Sequence, residues 1–340
     1  MTVEPVFSKK YQKSKRERLE ACLSGTKPDR TPIALWRHFP VDDQTPEGLT
    51  RATLDFQRKY DFDFVKVTPT SSFCLKDWGV QDEWQGSTEG TRVYTKRIIQ
   101  SPEDWTHLQV LDPFKGFLSE QLTCLRLLVE ELDSDPDPVP VIQTIFSPLA
   151  QAKNLAGQDL LLVHLRQYPD AVHTGLKIIS ESTLRFIELT RQIGIAGIFY
   201  AVQQASYAML SDQEYDQFGR WYDLQVLEPA RDYWLNMLHL HGSAIMFQKF
   251  IEYPLQIINW HDRDTYPSLE EAQALFPRLL CGGLQREKTM VLGNPVQVTA
   301  EARDAIQATQ GIRFILGTGC VLSTIAPHAN IFAARKSVEL

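Results

Sequence analysis

Eight short apolar runs, separated by longer stretches of helical periodicity, restrict the fold of this chain more than any other feature of its sequence. The runs are Thr31–Trp36, Phe62–Thr68, Val139–Ile145, Ile195–Val202, Leu235–His241, Leu255–His261, Arg278–Leu284 and Ile312–Gly317. Several are apolar at consecutive positions, as a strand covered on both faces requires. The segments between them read as helices. Pro46–Tyr60 carries Leu49, Ala52, Phe56 and Tyr60 at three- and four-residue steps. Ser211–Trp234, Ser268–Phe276 and Thr299–Gln310 each open with a hydroxyl residue followed by glutamate, a helix-start pattern. Ala326–Glu339 closes the chain. Strand and helix alternating eight times predict a single (β/α)8 TIM barrel over residues 1–340. A doubly wound open sheet would place a glycine-rich turn after the first run. Arg37-His38-Phe39-Pro40 stands there instead.

One insertion after the second run interrupts the alternation. Residues 77–132 contain a hairpin, with Arg92–Ile99 as its clearest strand, and helical stretches near Pro102–His107 and Ser119–Leu132. This reads as a lid or rim element of the same domain.

Composition narrows the partners. The net charge of −7 argues against nucleic acid or an anionic membrane surface. The basic cluster Lys9, Lys10, Lys13, Lys15, Arg16 and Arg18 reads as the polar face of a first helix. Five widely spaced cysteines without a CxxC pair do not form a disulfide framework, and the polar N-terminus lacks a signal-peptide core. No stretch reaches the roughly 18–20 apolar residues of a membrane span. A cytoplasmic protein, monomeric or homodimeric, with a small-molecule substrate is expected.

Active sites of such barrels lie at the C-terminal strand ends. That rule selects Trp36, Arg37 and His38, Thr68 to Ser72, Gln203, Gln204 and Ser206, His239 and His241, His261 and Asp262, and Thr318, Gly319 and Cys320. His239 and His241 are two apart on one strand and share a face. With Cys320 they offer three ligands to Zn²⁺ and leave a fourth position open, as catalytic zinc requires. The same residues also suit a hydrogen-bonded barrel mouth, with Cys320 as a small buried apolar group. Arg37 suits a substrate carboxylate or an ion pair with a rim acid such as Asp262. Gln204 suits a substrate amide or carbonyl or the loop backbone, and His261 suits substrate binding or a strand-end turn.

From Arg16 through Arg30-Thr31-Pro32-Ile33 to the closing Ile315–Ala334 segment (ILGTGCVLSTIAPHANIFAA), the chain resembles the uroporphyrinogen decarboxylase family in its broad sense. The resemblance implies a (β/α)8 barrel with one of two chemistries. The decarboxylase branch, which serves porphyrin (heme) biosynthesis, uses two arginines after the first strand and an aspartate after the second. Only Arg37 matches an arginine, and Pro69 falls near the aspartate position. The second branch transfers methyl groups between a corrinoid and a thiol, with zinc held by His-x-Cys-Gly and a cysteine of the closing loop. His239-Leu240-His241-Gly242 matches with Cys replaced by His, and Cys320 matches the last ligand. The resemblance therefore implies a zinc-dependent methyltransferase, with a carboxy-lyase or a non-catalytic binding barrel as alternatives. No histidine has an aspartate two residues before it. Cobalamin is accordingly expected only on a separate corrinoid carrier protein.

Overall fold

The computed structural model describes residues 11–339. Seven parallel strands form one curled sheet in the order β1 (Val65–Val67), β4 (Val141–Phe146), β5 (Gly197–Val202), β6 (Met237–Leu240), β7 (Ile257–Trp260), β8 (Leu279–Leu284) and β9 (Phe314–Thr318). Every residue of these strands is buried. This accounts for the continuous apolar runs: one face packs inside the curl and the other under helices. A separate antiparallel hairpin joins β2 (Gln81–Glu83) to β3 (Val93–Lys96).

The first run departs from expectation. Thr31–Trp36 forms no regular strand and makes isolated bridges, Ile33 with Leu316 and Arg37 with Leu322. It nevertheless reaches both edges of the sheet. Ala34 N–H donates to Leu316 O at 3.1 Å and Leu316 N–H to Pro32 O at 2.9 Å, while Asp63 N–H donates to Ile33 O at 2.9 Å. The Asp63 carboxylate replaces the missing ladder. It accepts from Ile33 N–H at 2.7 Å, and from Arg18 Nη1 and Arg30 Nη1 at 2.7 Å each. Burial would raise the Asp63 pKa, but the two guanidinium groups hold it below its ordinary value.

These contacts also correct the reading of the basic cluster. The first helix, Lys15–Ser24, turns Lys15 and Arg18 inward. Lys15 pairs with Asp61 at 2.9 Å, and Arg18 pairs with Asp29 and Asp63. Lys9 and Lys10 lie outside the described residues.

Helix Pro46–Tyr60 matches its sequence prediction, with Thr45 as N-cap and proline at the first turn. Ser211 and Ser268 each form a capping box, with Glu214 and Glu271 respectively. Two predicted helices need correction. Ser211–Trp234 is not continuous, because a π-turn occupies Asp216–Arg220 and a 3-10 turn occupies Glu228–Ala230. The helix expected at Thr299 begins earlier, at Pro295, where Asn294 caps Val296 and Gln297. The closing helix is His328–Ser337. Within the inserted segment, helices cover Asp104–His107 and Gly116–Asp133. No helix among the described residues is long and apolar enough to cross a membrane.

Candidate active site

The strand register assembles a thiol and three imidazoles. His239 lies on β6, and His241 follows its end, where its N–H still donates to Val202 O at 3.0 Å. Alternation along the strand gives both imidazoles the same face. Gly242 then turns the chain at φ 93°, in the left-handed region that favours glycine. On the adjacent strand Asn259 pairs in register with His239, so His261 falls beside His241. The ring centroids of His241 and His261 are 5.2 Å apart. Cys320 arrives from the loop after β9. A Cβ on Gly319 would stand 2.6 Å from Trp260 O and 2.7 Å from the His261 Cα, so the absence of a side chain lets this loop press against the end of β7. One potential ligand atom from each of His239, His241, His261 and Cys320 lies within 4.8 Å of all the others.

The structure thus brings together the three residues expected as ligands and adds His261, expected at the substrate. The sequence carried a signal for it. The fifth and sixth runs both end in histidine, and in adjacent parallel strands equivalent ends sit side by side.

Asn259 decides the tautomer of His239. Its Nδ2 donates to Cys281 O at 2.9 Å and to Thr318 O at 3.0 Å. Those two carbonyls fix the amide orientation, so Oδ1 is left to accept from His239 Nδ1, 2.7 Å away. The other nitrogen, Nε2, then keeps its lone pair, the arrangement found where histidine binds a metal. His261 Nε2 is buried with no hydrogen-bond partner. An orphaned acceptor or donor at this depth is costly unless something occupies the space beside it. Cys320 and His241 approach at 3.7 Å, Sγ to Nδ1. Burial alone would raise the Cys320 pKa, but the surrounding His239, His241 and His261 side chains pull it well below that of an ordinary thiol. Burial lowers the pKa of His239; at His241 the Cys320 thiolate outweighs burial and raises it. The residues present therefore fit a metal that prefers nitrogen and sulfur donors, of which zinc is the common case.

A cavity of about 260 Å³ opens beside this cluster. Its walls include Trp36, His38, Lys66, Pro69, Arg92, Tyr94, Lys153, Asn154 and Phe199 as well as His239, His241 and Cys320. Burial pushes His38 down to about 3 and holds it neutral. Burial also lowers Lys66 to about 7, and Lys153 to about 8 with help from the Arg97 charge. Sequence reasoning singled out neither lysine, since each lies amid residues that read as strand or helix.

Arg37 is not part of this cavity. It lies in an adjoining recess against Phe39 and Phe56, with its Nη1 donating to Thr324 O at 3.1 Å. It forms no ion pair with Asp262, whose carboxylate accepts from Gly283 N–H at 3.0 Å. Gln204 lines a second, more polar recess that shares Lys153, Gln203 and His241 with the main cavity. Its Oε1 accepts from Gln158 Nε2 at 3.1 Å.

Fold and site define a parallel α/β protein of the TIM-barrel kind with a nitrogen–sulfur cluster over its strand ends. The chain belongs to the uroporphyrinogen decarboxylase (URO-D) family, whose model matches residues 14–339. Among solved structures it is similar to a methyltransferase from Methanosarcina mazei, with a TM-score of 0.83 at 16% identity over 97% of this chain and 99% of that one. It is also similar to a B12-independent methionine synthase from Shewanella sp. W3-18-1, with a TM-score of 0.59 at 12% identity over 92% and 93% of the two chains. At such identities the likeness is one of fold. No curated protein matches the chain in sequence.

Proposed function

We propose that this protein is an enzyme that transfers a methyl group to or from a small thiol, using a zinc ion held by His239, His241 and Cys320, with His261 beside the position left open for the thiol. The observation that carries the reading is the convergence of these four side chains on one point beside a cavity. Bound there, zinc would lower the pKa of an incoming thiol and present it as a thiolate. The rest of the machinery belongs to the chain. Asn259 holds the His239 ring with Nε2 toward the cluster. Phe199 stacks on His239 at 5.3 Å and Trp36 meets Phe199 edge-on at 5.4 Å, which keeps water from that side. The hairpin contributes Glu89, Thr91, Arg92 and Tyr94 to the cavity wall. Thr324 N–H donates to Thr88 O at 2.7 Å, tying the hairpin to the closing loop. This supports a role for residues 77–132 as a cover over a closed (β/α)8 barrel mouth. The methyl donor is proposed to be a corrinoid on a separate protein.

The decarboxylase reading fares less well. Arg37 stands outside the cavity and Pro69 occupies its wall, so neither the arginine anchor nor the aspartate of the decarboxylase branch is in place. The deciding experiment is elemental analysis of the purified protein alongside a methylcobalamin-to-thiol assay. One zinc per chain, lost with thiol methylation in His241→Ala, is expected. Turnover by a protein that takes up no metal would overturn the mechanism, and zinc binding without turnover on any thiol would leave a binding protein.

A further inference from the structure

The tip of the β2–β3 hairpin, residues 84–91, reaches three loops at the strand ends. The Thr88 carbonyl accepts from Thr324 N–H at 2.7 Å, Thr324 Oγ1 at 2.9 Å and Ser323 Oγ at 2.9 Å. Those donors belong to the loop that carries Cys320. Glu89 pairs with Arg286 from the loop after β8. Gly90, at φ 77°, lies against the loop after the first run, where a Cβ would stand 2.4 Å from the His38 Cβ. Behind the tip is the cavity, with Glu89 and Thr91 in its wall and Cys320 at its floor, 7% exposed.

Tip and base are held differently. Trp84 and Val93, which flank the tip, are 38% and 48% exposed, so apolar burial does not fix it. Its hydrogen bonds and its partly exposed ion pair exchange for water at small net cost. At the base, Arg92 pairs with Asp43 at 2.8 Å and both side chains are buried. Ile98 and Ile99 N–H donate to Leu155 O at 3.2 Å each, and Asp82 accepts from Ser72 Oγ and pairs with Lys76 at 3.5 Å. A polar tip on an anchored base is the part of such an element that opens at least cost.

We propose that residues 84–91 are a flap over the cavity, latched at Thr88 and Glu89, and that release of this latch is the route by which small molecules reach Cys320. The flap needs the cavity, but neither zinc nor the methyl-transfer chemistry.

The test follows alkylation of Cys320 in metal-free protein by iodoacetamide and by the bulkier iodoacetanilide, with mass spectrometry locating the label. The other four cysteines are buried, and burial pushes their thiols up, to about 12 for Cys22 and Cys124. Ser323→Ala combined with Thr324→Val removes both hydroxyl donors to Thr88. It should speed the labelling of Cys320 about tenfold, the scale of one or two net hydrogen bonds. Glu89→Gln should act in the same direction, and Thr324→Ser, which keeps the hydroxyl, should stay near wild type. The ratio of the two reagents' rates cancels the intrinsic reactivity of the thiolate, and the advantage of the smaller reagent should shrink in the opened variants. Thermal melting reports whether each variant folds; if the double variant does not, Glu89→Gln decides alone. Rates unchanged by loss of the latch would mean entry through the recess lined by Gln204, and would overturn the proposal. Faster labelling with an unchanged size ratio would mean an altered thiol behind an unmoved flap, and would overturn it too. Neither outcome bears on the zinc reading, which elemental analysis decides separately.

Discussion

At the scale of single residues, polar groups inside this protein do two different jobs. Asn259 is fixed by two backbone carbonyls and in turn fixes a histidine tautomer. Removing it in Asn259→Leu leaves the His239 ring free to choose either nitrogen. Zinc affinity, measured by competition with a chelator, should fall about 10–100-fold, the usual effect of losing an outer-shell partner; an unchanged affinity would sever the link between this amide and the cluster. Away from the site, Asp223 is buried and accepts from the hydroxyls of Tyr200 and Tyr215 at 2.6 Å and Tyr253 at 2.9 Å. Burial raises its pKa to about 6 despite those three donors. The folded protein therefore holds this proton more tightly than the unfolded chain, where an aspartate titrates near about 3.9. By linkage, the resulting stability is fully present below the unfolded value and is lost as pH rises through the folded one. Urea unfolding should show wild type losing on the order of 2–3 kcal/mol relative to Asp223→Asn between about pH 4 and pH 7. Parallel pH profiles for the two proteins would show that Asp223 does not titrate in this way.

At the scale of elements, the junction between β9 and β1 is the place where the regular pattern fails and a charged network takes over. Thr31–Trp36 contains Pro32, and proline cannot donate to a ladder. The Asp63 carboxylate and its two arginines supply the missing hydrogen bonds to Ile33 and Thr31. Asp63→Ala would leave Arg18 and Arg30 buried without that acid, an arrangement that costs about 3–5 kcal/mol. Hydrogen exchange should locate the damage at the Ala34 and Leu316 amides first. Uniform loss of protection across the sheet would instead mean that the junction has no separate stability. The other departure, the π-turn at Asp216–Arg220, falls between Tyr215 and Asp223, which meet across it at 2.6 Å. Helix-start signals were legible at Ser211 and Ser268 because a cap is a local interaction. The break at the π-turn was not, because its partners Tyr200 and Tyr253 come from distant segments.

For the molecule as a whole, the proposed metal couples two separate pieces of chain: the end of β6 and the loop after β9. A ligand bound only by the folded state stabilises it by RT ln(1 + [L]/Kd), about 2.7 kcal/mol at a hundredfold excess over Kd. Zinc should therefore raise the melting temperature of the metal-free protein by a few degrees, and Cys320→Ser should abolish most of the rise. No shift with zinc in the wild-type protein would count against the site. The sequence by itself determined the alternation of strand and helix, the strand ends, and the candidate trio His239, His241 and Cys320, since periodicity and i, i+2 spacing are properties of a local stretch. Tertiary structure alone decided the rest. Strand register brought His261 beside His241 and Asn259 onto His239, and the curl of the sheet set Lys66 and Lys153 in one cavity while turning Arg37 out of it. Those outcomes depend on contacts between residues far apart in the chain, where the environment of a side chain is created by segments that its own neighbours do not specify.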